Sequence, residues 1–156
     1  MEYQAYLLRS IADQIKLASL SQVALQPGIS SVYRLTIRYH DRRAHDSVGT
    51  AWRFGKTQPV LEMVYRELFN HKAMTYALDS QRYEAFALAL QKLRFDQLKD
   101  QPNLPTYGTD LWLLERAAGS FTKSLILAPT LATDTYATLI ALVREHLPEL
   151  LREVKT

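Results

Sequence analysis

The segment SVYRLTIRYHDRRAHDSVGTAWRF, residues 31–54, decides the fold class. In its first half Tyr33, Leu35, Ile37 and Tyr39 alternate with Arg34, Thr36, Arg38 and His40, a period of two that sends successive side chains to opposite faces of a strand. The polar stretch Asp41-Arg42-Arg43-Ala44 supplies a turn. Val48, Thr50, Trp52 and Phe54 then alternate with Ser47, Gly49, Ala51 and Arg53 on a return strand. The segment reads as a β-hairpin, with Tyr33, Leu35 and Ile37 directed inward and Arg34, Arg38, Arg42 and Arg43 lying outside the core.

Towards the N-terminus, Tyr3, Leu7, Ile11, Ile15 and Ala18 recur every three or four residues, the stripe of an amphipathic helix that Gln26-Pro27-Gly28 brings to an end. Past the hairpin, Pro59 suits a first helical position, and a helix carrying Val60, Leu61, Val64 and Leu68 is expected after it. Asp79 and Ser80 read as the cap of another helix, whose apolar positions are Tyr83, Phe86, Ala87, Leu90 and Leu93. The stretch DQPNLPTYGTD, residues 100–110, has two prolines and a glycine and reads as a loop.

A second hairpin follows in DLWLLERAAGSFTKSLILAP, residues 110–129, turned near Gly119 and closed by Pro129. Its continuous apolar runs, Leu111 to Leu114 and Leu125 to Leu127, predict strands that are central or covered on both faces. Thr133 precedes a final helix with a stripe of Tyr136, Ile140, Val143, Leu147, Leu150 and Val154, bent by Pro148. The whole predicts a single α+β domain over residues 1–156. Its antiparallel sheet is built from two β-hairpins with amphipathic helices packed on one face, in a duplicated hairpin-helix plan. Leu35, Ile37, Val48, Trp52, Leu90, Leu113, Leu125 and Ile140 are the expected core.

This order of residues resembles a small bacterial domain of unknown function, in which a strand of the VYRLTIRY type opens a hairpin and a helix leads into a second hairpin. The resemblance spans about residues 31 to 128. It implies a hairpin-helix-hairpin-helix fold and brings no catalytic or ligand-binding residue with it.

Hydrophobic residues make up 47% of the chain and charged residues 22%, the composition of a folded globular protein. The chain has no cysteine, which excludes disulfides and thiolate chemistry and fits a reducing, cytoplasmic setting. The first twenty residues, interrupted by Glu2, Arg9, Asp13 and Lys16, do not form a signal peptide, and no apolar run is long enough for a membrane span. Net charge is +3, unevenly spread. Residues 31–56 hold six cations, Arg34, Arg38, Arg42, Arg43, Arg53 and Lys56, against Asp41 and Asp46, an excess of +4 that leaves −1 for the rest.

None of the glycine-rich phosphate loops, nucleophile elbows or zinc-protease motifs is present. In HDRRAHD, His40 and His45 with Asp41 and Asp46 offer imidazole and carboxylate ligands for a metal, but Arg42 and Arg43 would repel the cation and a solvated polar turn is the better explanation of these residues. Glu67 with His71, and His146 with Glu145 and Glu149, have the spacing of chance surface pairs. The nine tyrosines suit a pocket or an interface, but most fall on stripes already assigned to the core.

No catalytic residue, metal or cofactor is therefore expected. Three functions compete: a non-catalytic protein-interaction module that binds a protein partner or self-associates as a homodimer, nucleic-acid binding through Arg34, Arg38, Arg42, Arg43 and Arg53, and a small-ligand pocket between sheet and helices.

Overall fold

The computed structural model describes residues 2–156, with the side chain of Glu2 left aside. Two helices come first, α1 (Glu2–Gln14) and α2 (Leu20–Ala24), the second capped by the Ser19 hydroxyl with Gln22 bonding back in a capping box. Four strands follow, β1 (Val32–Arg38), β2 (Ser47–Trp52), β3 (Val60–Tyr65) and β4 (Met74–Ala77). Helix α3 (Ser80–Lys92) is capped by Asp79, whose carboxylate accepts from the backbone N–H groups of Gln81 and Arg82. Strands β5 (Leu111–Ala118) and β6 (Phe121–Leu127) then lead to α4 (Asp134–His146).

The six strands form one antiparallel sheet in the order β4-β3-β2-β1-β5-β6. Strand β5, far along the chain, pairs with β1, so the two hairpins read from the sequence lie next to each other, with β6 at one edge of the sheet.

Residues 60–65 form a strand, not the helix that Pro59 suggested. Val60-Leu61-Glu62-Met63-Val64-Tyr65 is rich in β-branched and aromatic residues, and Leu61, Met63 and Tyr65 alternate onto one apolar face, a period of two that outweighs the helical spacing of Val60, Leu61 and Val64. Pro148 ends α4 instead of bending it: Leu147 leaves helical geometry, and Pro148–Leu151 form a 3-10 turn.

The expectation of helices on one face is also corrected. Helices α3 and α4 cover the face of Tyr33, Leu35, Ile37, Leu61, Met63, Leu114 and Leu125. Helix α1 covers the other, with Leu8 over Leu111, Leu113 and Ile126, and Ile11 and Ile15 over Val48 and Val64. Helix α2 seals Val32 and Ala117 on that same face. Seven of the eight predicted core residues are buried, and Trp52 is half-buried against the α2 cluster.

The buried stripe of α1 is Gln4, Leu8 and Ile11, continued by Ile15 just past its end, which leaves Tyr3 exposed. At Gly49, in the middle of β2, a Cβ would collide with a Leu150 methyl and stand 2.6 Å from the Met63 sulfur, so the turn after α4 rests directly on the sheet backbone. Among the described residues no helix is long and apolar enough to cross a membrane.

Candidate functional site

The antiparallel registers align one polar row across all six strands on the face beneath α1 and α2: Thr75, Glu62, Thr50, Arg34, Glu115 and Ser124. Arg34 stands at its centre and is only 5% exposed, which overturns the expectation that it lies outside the core. The alternation correctly placed Arg34 opposite Leu35, but that second face is itself roofed by α1, α2 and the turn between them. Arg34 Nε donates to Thr50 Oγ1 at 2.9 Å and Nη1 to the Ala18 carbonyl at 2.9 Å.

No carboxylate pairs directly with Arg34 among the described residues. Burial pulls its guanidinium below the usual arginine range, and Glu115 and Glu62 push back. Burial likewise raises Glu115, against Arg34 and Arg9, and raises Glu62, against Arg34. Arg9 reaches in from α1, with Nη1 3.7 Å from Glu115 and Nη2 donating to Ser124 Oγ at 3.1 Å. Two adjoining hollows, each about 190 Å³, open here and share Arg9, Ser19, Leu20 and Glu115.

The tip of the first hairpin is a clamp. Asp110, at the entrance to β5, is nearly buried and accepts from the His40 backbone N–H at 3.0 Å and from Arg43 Nη2 at 2.6 Å, with His40 Nδ1 2.7 Å away. Burial alone would raise the Asp110 carboxyl, but the bonds from Arg43 and His40 together hold it below the usual carboxylate range. Arg43 also binds Asp41 and Glu153 and lies over the Tyr39 ring.

His40, Asp41 and Asp110 come close enough to share a cation, but Arg43 donates to both carboxylates and occupies that position. His45 is separate, held by the Arg66 carbonyl, while Asp46 pairs with Arg66 and accepts from the Tyr39 N–H. The structure does not bring His40 and His45 together as ligands of one ion.

Of the remaining hairpin arginines, Arg53 pairs with Glu84 and stacks on Tyr83, while Arg38 and Arg42 have no ion-pair partner among the described residues. Glu67 and His71 lie in a tight turn after β3, where the Glu67 N–H donates to His71 Nε2.

A feature that sequence reading missed is a groove of about 610 Å³ between α3, the 3-10 turn Phe95–Gln97 and the adjacent ends of β1 and β5. Tyr33, Ala87, Leu90 and Phe95 form its apolar floor, and Leu88, 50% exposed, projects beside it. At its rim Asp96 holds Arg116 through two bonds of 2.9 and 2.6 Å. Arg94 is the one charged group of the lining without an ion-pair partner among the described residues. It follows the α3 C-cap with φ 58° and ψ 47°, the left-handed conformation that glycine occupies at little cost.

No protein-family model matches the chain, and no curated protein is significantly similar to it.

Proposed function

We propose that the protein is a non-catalytic binding module that receives a segment of a protein partner in the groove beside α3. The observation that carries this reading is the groove itself: an apolar floor, a projecting Leu88 and a rim whose charges are mutually neutralised except at Arg94. Such a surface suits an apolar anchor from the partner with one acidic group beside it. The titratable clusters elsewhere are engaged in clamping loops, which supports a binding role over a catalytic one.

The reading includes a cytoplasmic setting, supported by the cysteine-free composition, and a repeated plan in which each hairpin is eventually followed by a helix. Nucleic-acid binding through residues 31–56 has less support. Arg34 is buried and Arg43 and Arg53 are paired, leaving Arg38, Arg42 and Lys56 to meet phosphates.

A photo-crosslinking residue at position 88, introduced into the protein in its native cells, tests the groove. The expected result is a discrete adduct that disappears when Arg94→Glu is added and is not formed from the same probe at exposed Leu25. An adduct of twice the chain mass would make the partner a second copy. Absence of any adduct, or the same adduct from both positions, would refute the reading.

A further inference from the structure

The row beneath α1 and α2 contains a guanidinium that the protein buries without completing its bonding. Arg34 uses Nε and Nη1, but Nη2 has no hydrogen bond among the described residues. Among the described residues the one side-chain nitrogen or oxygen that is both sealed from solvent and unpaired is Ser47 Oγ, on the opposite face of the sheet, so Arg34 Nη2 is unpaired but not sealed. Arg34 and Thr36 line the base of the inner hollow of about 190 Å³, with Leu8, Arg9 and Leu17 above.

A buried guanidinium without a direct counter-ion is costly, and a carboxylate or phosphate oxygen at Nη2 would supply the missing charge-assisted bond. The outer hollow continues the same chemistry. Arg9, Ser21, Thr122 and Ser124 line it, groups that donate hydrogen bonds to oxygen.

Of the cations in the linings, Arg9 and Arg34 face the carboxylates Asp13 and Glu115, while Arg116 and Lys123 turn to the other face of the sheet, where they hold Asp96 and the Leu98 carbonyl. We propose that this crevice binds a small oxyanion, with Arg34 Nη2 in the throat and Arg9 at the mouth as its two principal donors. The shared ligand chemistry is a compact group bearing anionic oxygens, either a carboxylate or a phosphate.

Glu115 sets the affinity. It lies beside Arg34 in register and 3.7 Å from Arg9, where it competes with the incoming anion for both cations. Helix α2 and the turn before it form the roof, because the Ala18 carbonyl is bonded to Arg34 and Ser19 and Leu20 line both hollows.

Titration calorimetry on the full chain, with inorganic phosphate and with acetate as separate probes at ionic strength matched by sodium chloride, tests the site. Saturable binding of one probe is expected, and the probe that binds identifies the source as phosphoryl or carboxylate. Arg34→Met should abolish it, Arg9→Met should weaken it about tenfold or more, the value of one charge-assisted bond, and Glu115→Gln should strengthen it about threefold or more by removing the competing charge.

The gain in Glu115→Gln is a readout that a purely structural role for the row would not produce. Where Arg34→Met fails to fold by circular dichroism, Arg9→Met and Glu115→Gln decide alone. Absence of saturable binding by either probe, or binding unaltered in Arg9→Met and Glu115→Gln, would overturn the site. Because the α3 groove shares Arg116 alone with this lining, either reading can fail while the other stands.

Discussion

Replacement of Asp110 by asparagine keeps the shape of the clamp at the hairpin tip while removing its charge. Asp110 is 7% exposed and is approached by His40 N–H, His40 Nδ1 and two nitrogens of Arg43. A hydrogen bond to a charged group contributes about 1.5–3 kcal/mol, but Arg43 is nearly half exposed, so its share falls towards the roughly 0–1 kcal/mol of a surface ion pair. Adding the contribution of the better-buried His40 contacts gives an expected loss of about 2 kcal/mol for Asp110→Asn.

Urea unfolding followed by tryptophan fluorescence measures it well, because Trp112 is buried two residues away in β5. The loss should also depend on pH. The folded-state Asp110 carboxyl is depressed, so its contribution is complete above its unfolded value of about 3.9 and disappears as pH falls through the lower folded value. The gap between the two proteins should therefore be full above about pH 5 and shrink on acidification below it. A loss under about 0.5 kcal/mol at neutral pH, or a gap unaltered by acid, would refute the clamp.

Leu90→Ala, in the stripe of α3 that packs on the sheet, should cost about 2–5 kcal/mol in chemical denaturation, and a value under about 1 kcal/mol would mean that this helix contributes little to the core. Gly49→Val should cost more than the roughly 1–3 kcal/mol of ordinary overpacking, because Leu150 and Met63 already occupy the position of the new side chain; a thermal midpoint matching that of the parent would show that the turn at Pro148–Leu151 yields freely. Arg94→Gly should raise stability by up to about 1 kcal/mol by relieving the left-handed residue, while abolishing the crosslink from position 88; destabilisation would place the backbone strain elsewhere.

The elements legible from sequence were those with a local cause. Period-two alternation in residues 31–54 and the apolar runs at 111–114 and 125–127 specified β1, β2, β5 and β6, and Asp79-Ser80 marked the start of α3. Residues 60–65 were misread because a proline that can open a helix can equally precede a strand, and only pairing with β2 and β4 decides between them. The buried Arg34 was out of reach for a related reason: alternation separates two faces of a strand, but whether the polar one meets water depends on where α1 docks.

The clamp partners were visible as residue types in HDRRAHD, but Asp110 and Arg66 reach them across 70 and 20 positions, a distance that no motif spans. The α3 groove has no signature of its own, since it is a space left between elements.

The insertion of β5 beside β1 imposes an order on assembly. Strands β1 to β4 form a meander of neighbouring hairpins that can pair as soon as the chain emerges, but the outer edge of β1 waits for residues 111–118, some eighty positions downstream. Until then a seven-residue strand with aliphatic and aromatic side chains presents an unpaired row of amide and carbonyl groups, the kind of edge that recruits strands from other molecules. Arg34 and Arg38 sit on that waiting edge as charges placed within the strand itself. The cation that the finished fold roofs over is, during synthesis, a safeguard against the wrong neighbour.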